Sequence, residues 1–283
     1  MPDQLALPTT FGGLAAAIQL ALLDGNYLAL VRGLPVGVNN FRLILSGGNL
    51  TLQPVNGCSV DINGTVYAYT SMPTLAPGTF SASTLYYVYL TDVSGVATLE
   101  GSTTGYTVDT KGRAYKTGDA TRRLMGLART TAGVAWADTS AQRFVLSRDN
   151  RRDIGASNYF AANRSTASNA WAELSSSERI EFLTWAEEAI TLDAHGSAYS
   201  DAGAGNNVST SIGLDGTSPL DFYWVWNNAA PNLGQAFGGM ETWGPAEGYH
   251  YATILGKVSA GTGTWYGNAS PGGRCMISAR IRG

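Results

Sequence analysis

Hydrophobic and polar positions alternate in short runs along most of this chain, the pattern of strands that bury one face. Between residues 41 and 150 the runs Phe41–Leu45, Leu50–Leu52, Ser59–Ile62, Thr65–Tyr69, Leu85–Leu90, Val96–Glu100, Arg123–Arg129, Val134–Trp136 and Phe144–Ser147 are rich in β-branched and aromatic residues. Ser46-Gly47-Gly48-Asn49, Asn63-Gly64, Gly95 and Gly118-Asp119 punctuate them, and Asn63-Gly64 is the pair favoured in a two-residue hairpin. The spacing predicts an antiparallel β-sandwich over 41–150. A charged stretch, Asp149–Ile154, marks a boundary, and residues 151–283 predict a second, jelly-roll-like sandwich. Its clearest strands are expected near Tyr249–Val258, Gly263–Tyr266 and Met276–Arg282. The Arg179–Glu187 run follows a cap-like Ser175-Ser176-Ser177-Glu178, yet the alternation of Ile180 and Phe182 favours strands.

Residues 1–40 differ. Pro8-Thr9-Thr10 offers a helix start, and Phe11, Leu14, Ile18, Ala21, Gly25 and Leu28 follow the spacing of a coiled-coil seam. A second seam runs through Leu20, Leu23, Tyr27 and Leu30. Two stripes on one short helix suit a three-stranded bundle; a lone helix packed on its own domain is the other reading. The fold class expected is therefore mainly β: a short N-terminal helix, then two antiparallel β-sandwich domains.

Composition sharpens this picture. Of 283 residues, 14% are charged, below the roughly 25% usual in soluble domains. With 7 Trp and 14 Tyr besides, part of the surface is expected to be hidden in an oligomer. A net charge of -3 implies neither nucleic acid nor an anionic membrane as a partner. Arg143, Arg148, Arg151 and Arg152 cluster, as a solvated hinge or as partners for carboxylates of another subunit. Membrane insertion is not expected either: Leu14–Leu23 is too short to span a bilayer, and Met1-Pro2-Asp3 lacks the basic start of an export signal. Cys58 and Cys275 lie in different expected domains and read as small buried residues, and the two histidines show no ligand spacing. No metal and no cofactor are expected.

At the residues themselves a likeness emerges. The order YYVYL, ATLEGSTTGY, KTGDATRRLMGLART, QRFV and an Arg-rich exit, between Ser83 and Arg152, resembles a module of tail fibre proteins of tailed bacteriophages and prophages. QLALLDGNYLAL resembles the short helix that often opens such modules. TSIGLDGTS, GYHYATILGKVSAGTGTWYGN and the ending Ile281-Arg282-Gly283 resemble the C-terminal β domain of many of them. The resemblance implies a homotrimeric virion protein, made in the host bacterial cytoplasm, whose residues 1–40 attach to a phage tail or baseplate protein. Its C-terminal domain would meet a host surface glycan or protein. Alternatives are a head fibre or tail adaptor displaying another protein, and a small capsular polysaccharide depolymerase.

Enzymatic motifs are not legible. No Gly-x-Ser-x-Gly elbow, His-Glu-x-x-His or phosphate loop occurs, and His250, between Tyr249 and Tyr251, reads as a packed or surface residue. Glu173, Glu178, Glu181, Glu187, Glu188 and Asp193 lie close in sequence, but adjacent Glu187 and Glu188 on a strand would face opposite ways and could not flank one glycosidic bond. No catalytic residue is assigned. The binding candidates are Tyr223, Trp224, Trp226, Asn227, Asn228, Asn232 and Trp243: aromatic faces for the apolar side of a pyranose, amides for its hydroxyls. Period two puts Trp224 and Trp226 on one face and Tyr223 and Val225 on the other, and either face could be core. No Arg or Lys lies between Pro219 and His250, which points to neutral glycans.

Overall fold

The computed structural model describes residues 39–186, 188–227, 229–267 and 273–283, with Phe222 described by its backbone alone. The helix expected over 11–30 lies outside the described residues. What is described is mainly β, arranged in several sheets, and its one helical element is a 3-10 turn at Ser176–Glu178.

Local chemistry sets the hairpins of the first half. Phe41–Ser46 pairs with Asn49–Pro54, Ser59–Ile62 with Thr65–Ala68, and Leu85–Val93 with Val96–Ser102, each across two residues. Those pairs are Gly47-Gly48, Asn63-Gly64 and Ser94-Gly95, all at positive φ, as the turn that matches strand twist requires. Leu85–Val93 and Asp119–Arg129 form the centre of a six-stranded sheet, with Val145–Ser147 also on Asp119–Arg129. There the backbones approach so closely that a Cβ on Gly126 would meet the Leu146 carbonyl oxygen at 2.1 Å, so only glycine fits. Phe41, Leu43, Leu50 and Leu52 cover one side of this sheet, packed with Val88, Leu90 and Trp136.

One expected strand does not form. Val134–Trp136 is β-branched and aromatic, but Val134 sits at φ +58 and donates its N–H to Thr131 O, closing a turn. Trp136 is buried with its indole N–H on Leu75 O at 3.0 Å, and contributes a single bridge to Thr130. Side-chain anchoring outweighs the local strand preference here.

In the second half two six-stranded sheets pack face to face. One runs Gln142–Arg143, Ile180–Thr184, Gly248–Val258, Asn207–Leu214, Pro219–Asn227, with Ala172–Glu173 also on Gly248–Val258. The other runs Asp153–Tyr159, Met276–Arg282, Ile190–Ser200, Gly263–Trp265, Arg164–Thr166, with Gln235–Trp243 also on Ile190–Ser200. The short parallel contact of Gln142–Arg143 with Ile180–Thr184 departs from an otherwise antiparallel pattern. Arg179–Glu187 does contain a strand, Ile180–Thr184, as its alternation predicts. Glu188, however, lies in the connection that follows: its N–H closes a turn on Trp185 O, so it is not on a strand. Glu187 lies outside the described residues.

Trp265 ties the layers together. It is fully buried, donates its indole N–H to Thr210 Oγ1 at 2.7 Å, and lies where a Cβ on Gly256 would stand 2.6 Å from its ring. The core does not stop at residue 150: Tyr89, Leu124, Leu127 and Leu146 pack in one cluster with Ile180, Phe182 and Trp185. Glu247 also accepts hydrogen bonds from Tyr87 at 3.1 Å and Tyr106 at 2.8 Å. Three of the four clustered arginines find side-chain partners within the chain. Arg143 bonds Asp138, Arg151 pairs with Glu188, and Arg148 stacks over Trp185 at 5.1 Å.

Candidate functional site: an aromatic ledge on the outer face

Pro219–Asn227 is the last strand of its sheet and pairs with Asn207–Leu214. Trp224 stands opposite buried Thr210, and Trp226 opposite buried Val208, so both indoles point between the sheets. They meet Phe237, from the edge strand of the other layer, at 5.8 and 6.3 Å between ring centroids. This trio closes the open edge of the sandwich. The indole N–H of Trp226 is buried there and has no partner among the described residues.

The other face of the same strand is open. Tyr223 is 50% and Val225 48% exposed. Val225, Ser209 and Lys257 form one cross-strand row; Tyr223, Ser211, Leu255 and Glu173 form the next. Trp171, just before the Ala172–Glu173 strand, meets the Tyr223 ring edge-on at 5.7 Å. Lys257 Nζ lies 4.6 Å from the Trp171 ring and has no carboxylate partner among the described residues. Ser209, Ser211 and Leu255 are buried on this same face. The result is a ledge of two rings meeting edge to face at 72°, beside one half-buried cation.

Along the same face the other cations are engaged. Arg179 stacks 3.8 Å over Tyr251 and makes two 2.6 Å bonds to Glu173. The guanidinium holds the Glu173 carboxyl below its ordinary pKa. Arg129 lies 3.8 Å over Tyr249, whose hydroxyl donates to Glu181 at 2.5 Å; burial and that carboxylate raise the phenol's pKa. Glu178 is buried, which alone would raise its pKa, but Arg164, Ser175 and the Ala161 N–H hold it below the ordinary value. A glycosidase acid needs the opposite shift.

The remaining candidates are scattered. Asn227 is exposed at the end of its strand, and Asn228 lies outside the described residues. Asn232 is exposed at φ +60 with its backbone N–H on Ser200 O. Trp243 is 39% exposed opposite buried Ile190, six residues along its strand from Phe237, or about 20 Å at strand rise. Sequence reasoning thus missed Trp171 and Lys257. Only the pairing of distant strands brings them to Tyr223, and no local signal marks them.

His250 points inward, away from both neighbouring tyrosines. Its Nδ1 lies 2.6 Å from Asp215 Oδ2 and its Nε2 2.9 Å from Ala246 O. Cys275 is buried with its thiol on Ser197 O, and burial pushes its pKa up to about 12. Among the described residues no cluster of His, Cys, Asp and Glu could hold a metal ion, and no helix is long and apolar enough to cross a membrane.

No protein-family model matches the sequence, and neither does any curated protein. Solved structures similar to the chain include BuGH86 in complex with neoagarooctaose, at 10% identity and a TM-score of 0.25, covering 86% of this chain and 33% of that one. A VP2 subviral particle of infectious bursal disease virus is similar at 13% identity and a TM-score of 0.26, covering 71% and 59%. The insecticidal delta-endotoxin Cry8Ea1 from Bacillus thuringiensis is similar at 10% identity and a TM-score of 0.23, covering 86% and 52%. The chain spans between a third and three fifths of these proteins, and likenesses at this level assign neither family nor activity.

Proposed function

We propose that this chain is a structural virion protein, a homotrimeric tail fibre of a tailed bacteriophage that attaches the particle to its host through residues 151–283. The observation that carries the reading is the ledge of Trp171, Tyr223 and Lys257: an exposed and a half-buried ring beside an ammonium with no carboxylate partner among the described residues, on one sheet face. The likeness of residues 83–283 to phage fibre modules supplies the virion context. Rings stack on the apolar side of a sugar, and a cation selects an acidic group on it. Lys257 therefore moves the expected ligand from a neutral glycan to one bearing a carboxylate or phosphate.

Two measurements test this. Light scattering should give three times the 29.7 kDa chain mass; a monomer over a wide concentration range would remove the trimer. A bacterial glycan array should be bound through acidic polysaccharides, with Tyr223→Ala losing about tenfold in affinity, or roughly 1.4 kcal/mol. Release of reducing ends from a bound polysaccharide would instead favour a depolymerase.

A further inference from the structure

The ledge depends on residues that do not line it. Trp171 leads into the two-residue strand Ala172–Glu173, which pairs with Gly256 and Leu255, and the Leu174 N–H reaches Ile254 O at 3.1 Å just beyond. Tyr223, Ser211, Leu255 and Glu173 form one cross-strand row. Three interstrand steps, or roughly 14 Å, therefore separate the backbones at the two ends of that row. Trp171 starts from the far end, two residues before Glu173, yet its ring centroid lies 5.7 Å from that of Tyr223. The indole must lean across the sheet, over Leu255 and Ser211, which are fully buried. A ring held at that reach is placed no better than the short strand that carries it.

Glu173 fastens that strand. Arg179 Nε and Nη2 donate to its two carboxylate oxygens at 2.6 Å each, and the same guanidinium lies 3.8 Å over the Tyr251 ring of the Gly248–Val258 strand. A two-pronged bond of this kind fixes direction as well as distance. It also closes the connection 174–178, whose far end is anchored by buried Glu178 on Arg164 and on the Ala161 N–H. Buried Thr253 gives Glu173 a further hydrogen bond. The Glu173 and Arg179 side chains are 18% and 28% exposed, so water weakens the pair less than it would an open one. Residues two apart on an extended segment project to the same face. A carboxylate pinned to the sheet at Glu173 therefore also steadies the indole of Trp171 beside it.

We propose that Glu173 and Arg179 are positioning residues: without touching the glycan they hold Trp171 in the orientation the ledge needs, a role that rests on the reading of the ledge as the binding surface. Preorganisation of this kind strengthens binding by sparing the ligand the ordering of a side chain. Fluorine NMR of the full chain labelled with fluorotryptophan tests it, with the Trp171 resonance identified by its loss in Trp171→Phe. Glu173→Gln and Arg179→Lys should each shift and broaden that resonance while the other tryptophan resonances stay in place. Lysine keeps the charge but not the fork, so Arg179→Lys separates geometry from charge. Both variants should bind the parent's tightest acidic polysaccharide from a bacterial glycan array about fivefold more weakly, with Trp171, Tyr223 and Lys257 all retained. If Glu173→Gln fails to fold, Arg179→Lys alone decides. An unmoved Trp171 resonance, or parent affinity in a folded variant whose resonance has moved, would overturn this role alone. A parent that binds no acidic polysaccharide on the array would overturn the reading of the ledge, and this role with it.

Discussion

The two faces of the Pro219–Asn227 strand carry similar residues under opposite conditions. Inward, Trp224 and Trp226 lie against Phe237 and complete the core edge. Outward, Tyr223 and Val225 stay half exposed beside Trp171 and Lys257. The larger rings, which look like the better sugar platform by composition, are the ones used for packing. An indole between two sheets removes more apolar area from water than a phenol at the rim, and the hydrophobic gain follows area. Aromatic content alone therefore does not separate a binding face from a core face; the partner across each strand does.

Mutations should separate the two faces by size and by kind of effect. The largest loss belongs to the layer junction: Trp265→Ala removes a fully buried ring and its bond to Thr210, and should cost about 3–5 kcal/mol in chemical denaturation. Next, Trp226→Ala on the inner face should destabilise by about 2 kcal/mol, since the ring is only partly buried. Its folded fraction should still bind glycan normally. A loss of binding without a loss of stability would break the comparison.

Smaller effects lie on the outer face. Because Glu173 has its pKa lowered in the folded state, its pair with Arg179 stabilises fully above the unfolded value, near pH 4.3. That contribution is lost as pH falls through the lower folded value. Glu173→Gln should thus be less stable than the parent at pH 7, by under about 1 kcal/mol, and the difference should vanish in acid. Urea melts at both pH values check it. The smallest effect is electrostatic: parent affinity for an acidic glycan should fall with added salt, and Lys257→Gln should flatten that dependence.

Much of this architecture is legible in residues 41–283 before any coordinates. Asn63-Gly64 and Gly47-Gly48 announce their hairpins because only such residues accept positive φ cheaply. The alternation of Tyr223, Trp224, Val225 and Trp226 assigns them correctly to two faces. Which face is core is not legible, because that depends on Thr210, Val208 and Phe237 across the sheets. Lys257 and Trp171 escape for the same reason: Lys257 reaches the ledge through the pairing of Gly248–Val258 with Asn207–Leu214, and Trp171 through the pairing of Ala172–Glu173 with Gly248–Val258. Val134–Trp136 misleads in the other direction: its strand-forming residues serve a turn that delivers Trp136 to the core.

The claim that the outer face meets the host rests most directly on one contrast, glycan or host-cell binding by Tyr223→Ala against Trp226→Ala, both compared as folded protein. Tyr223→Ala should melt within about 1 kcal/mol of the parent, in line with other surface changes, and bind about tenfold more weakly. Trp226→Ala should melt lower and bind as the parent does. The reverse pattern, with binding lost at Trp226 and kept at Tyr223, would contradict the account.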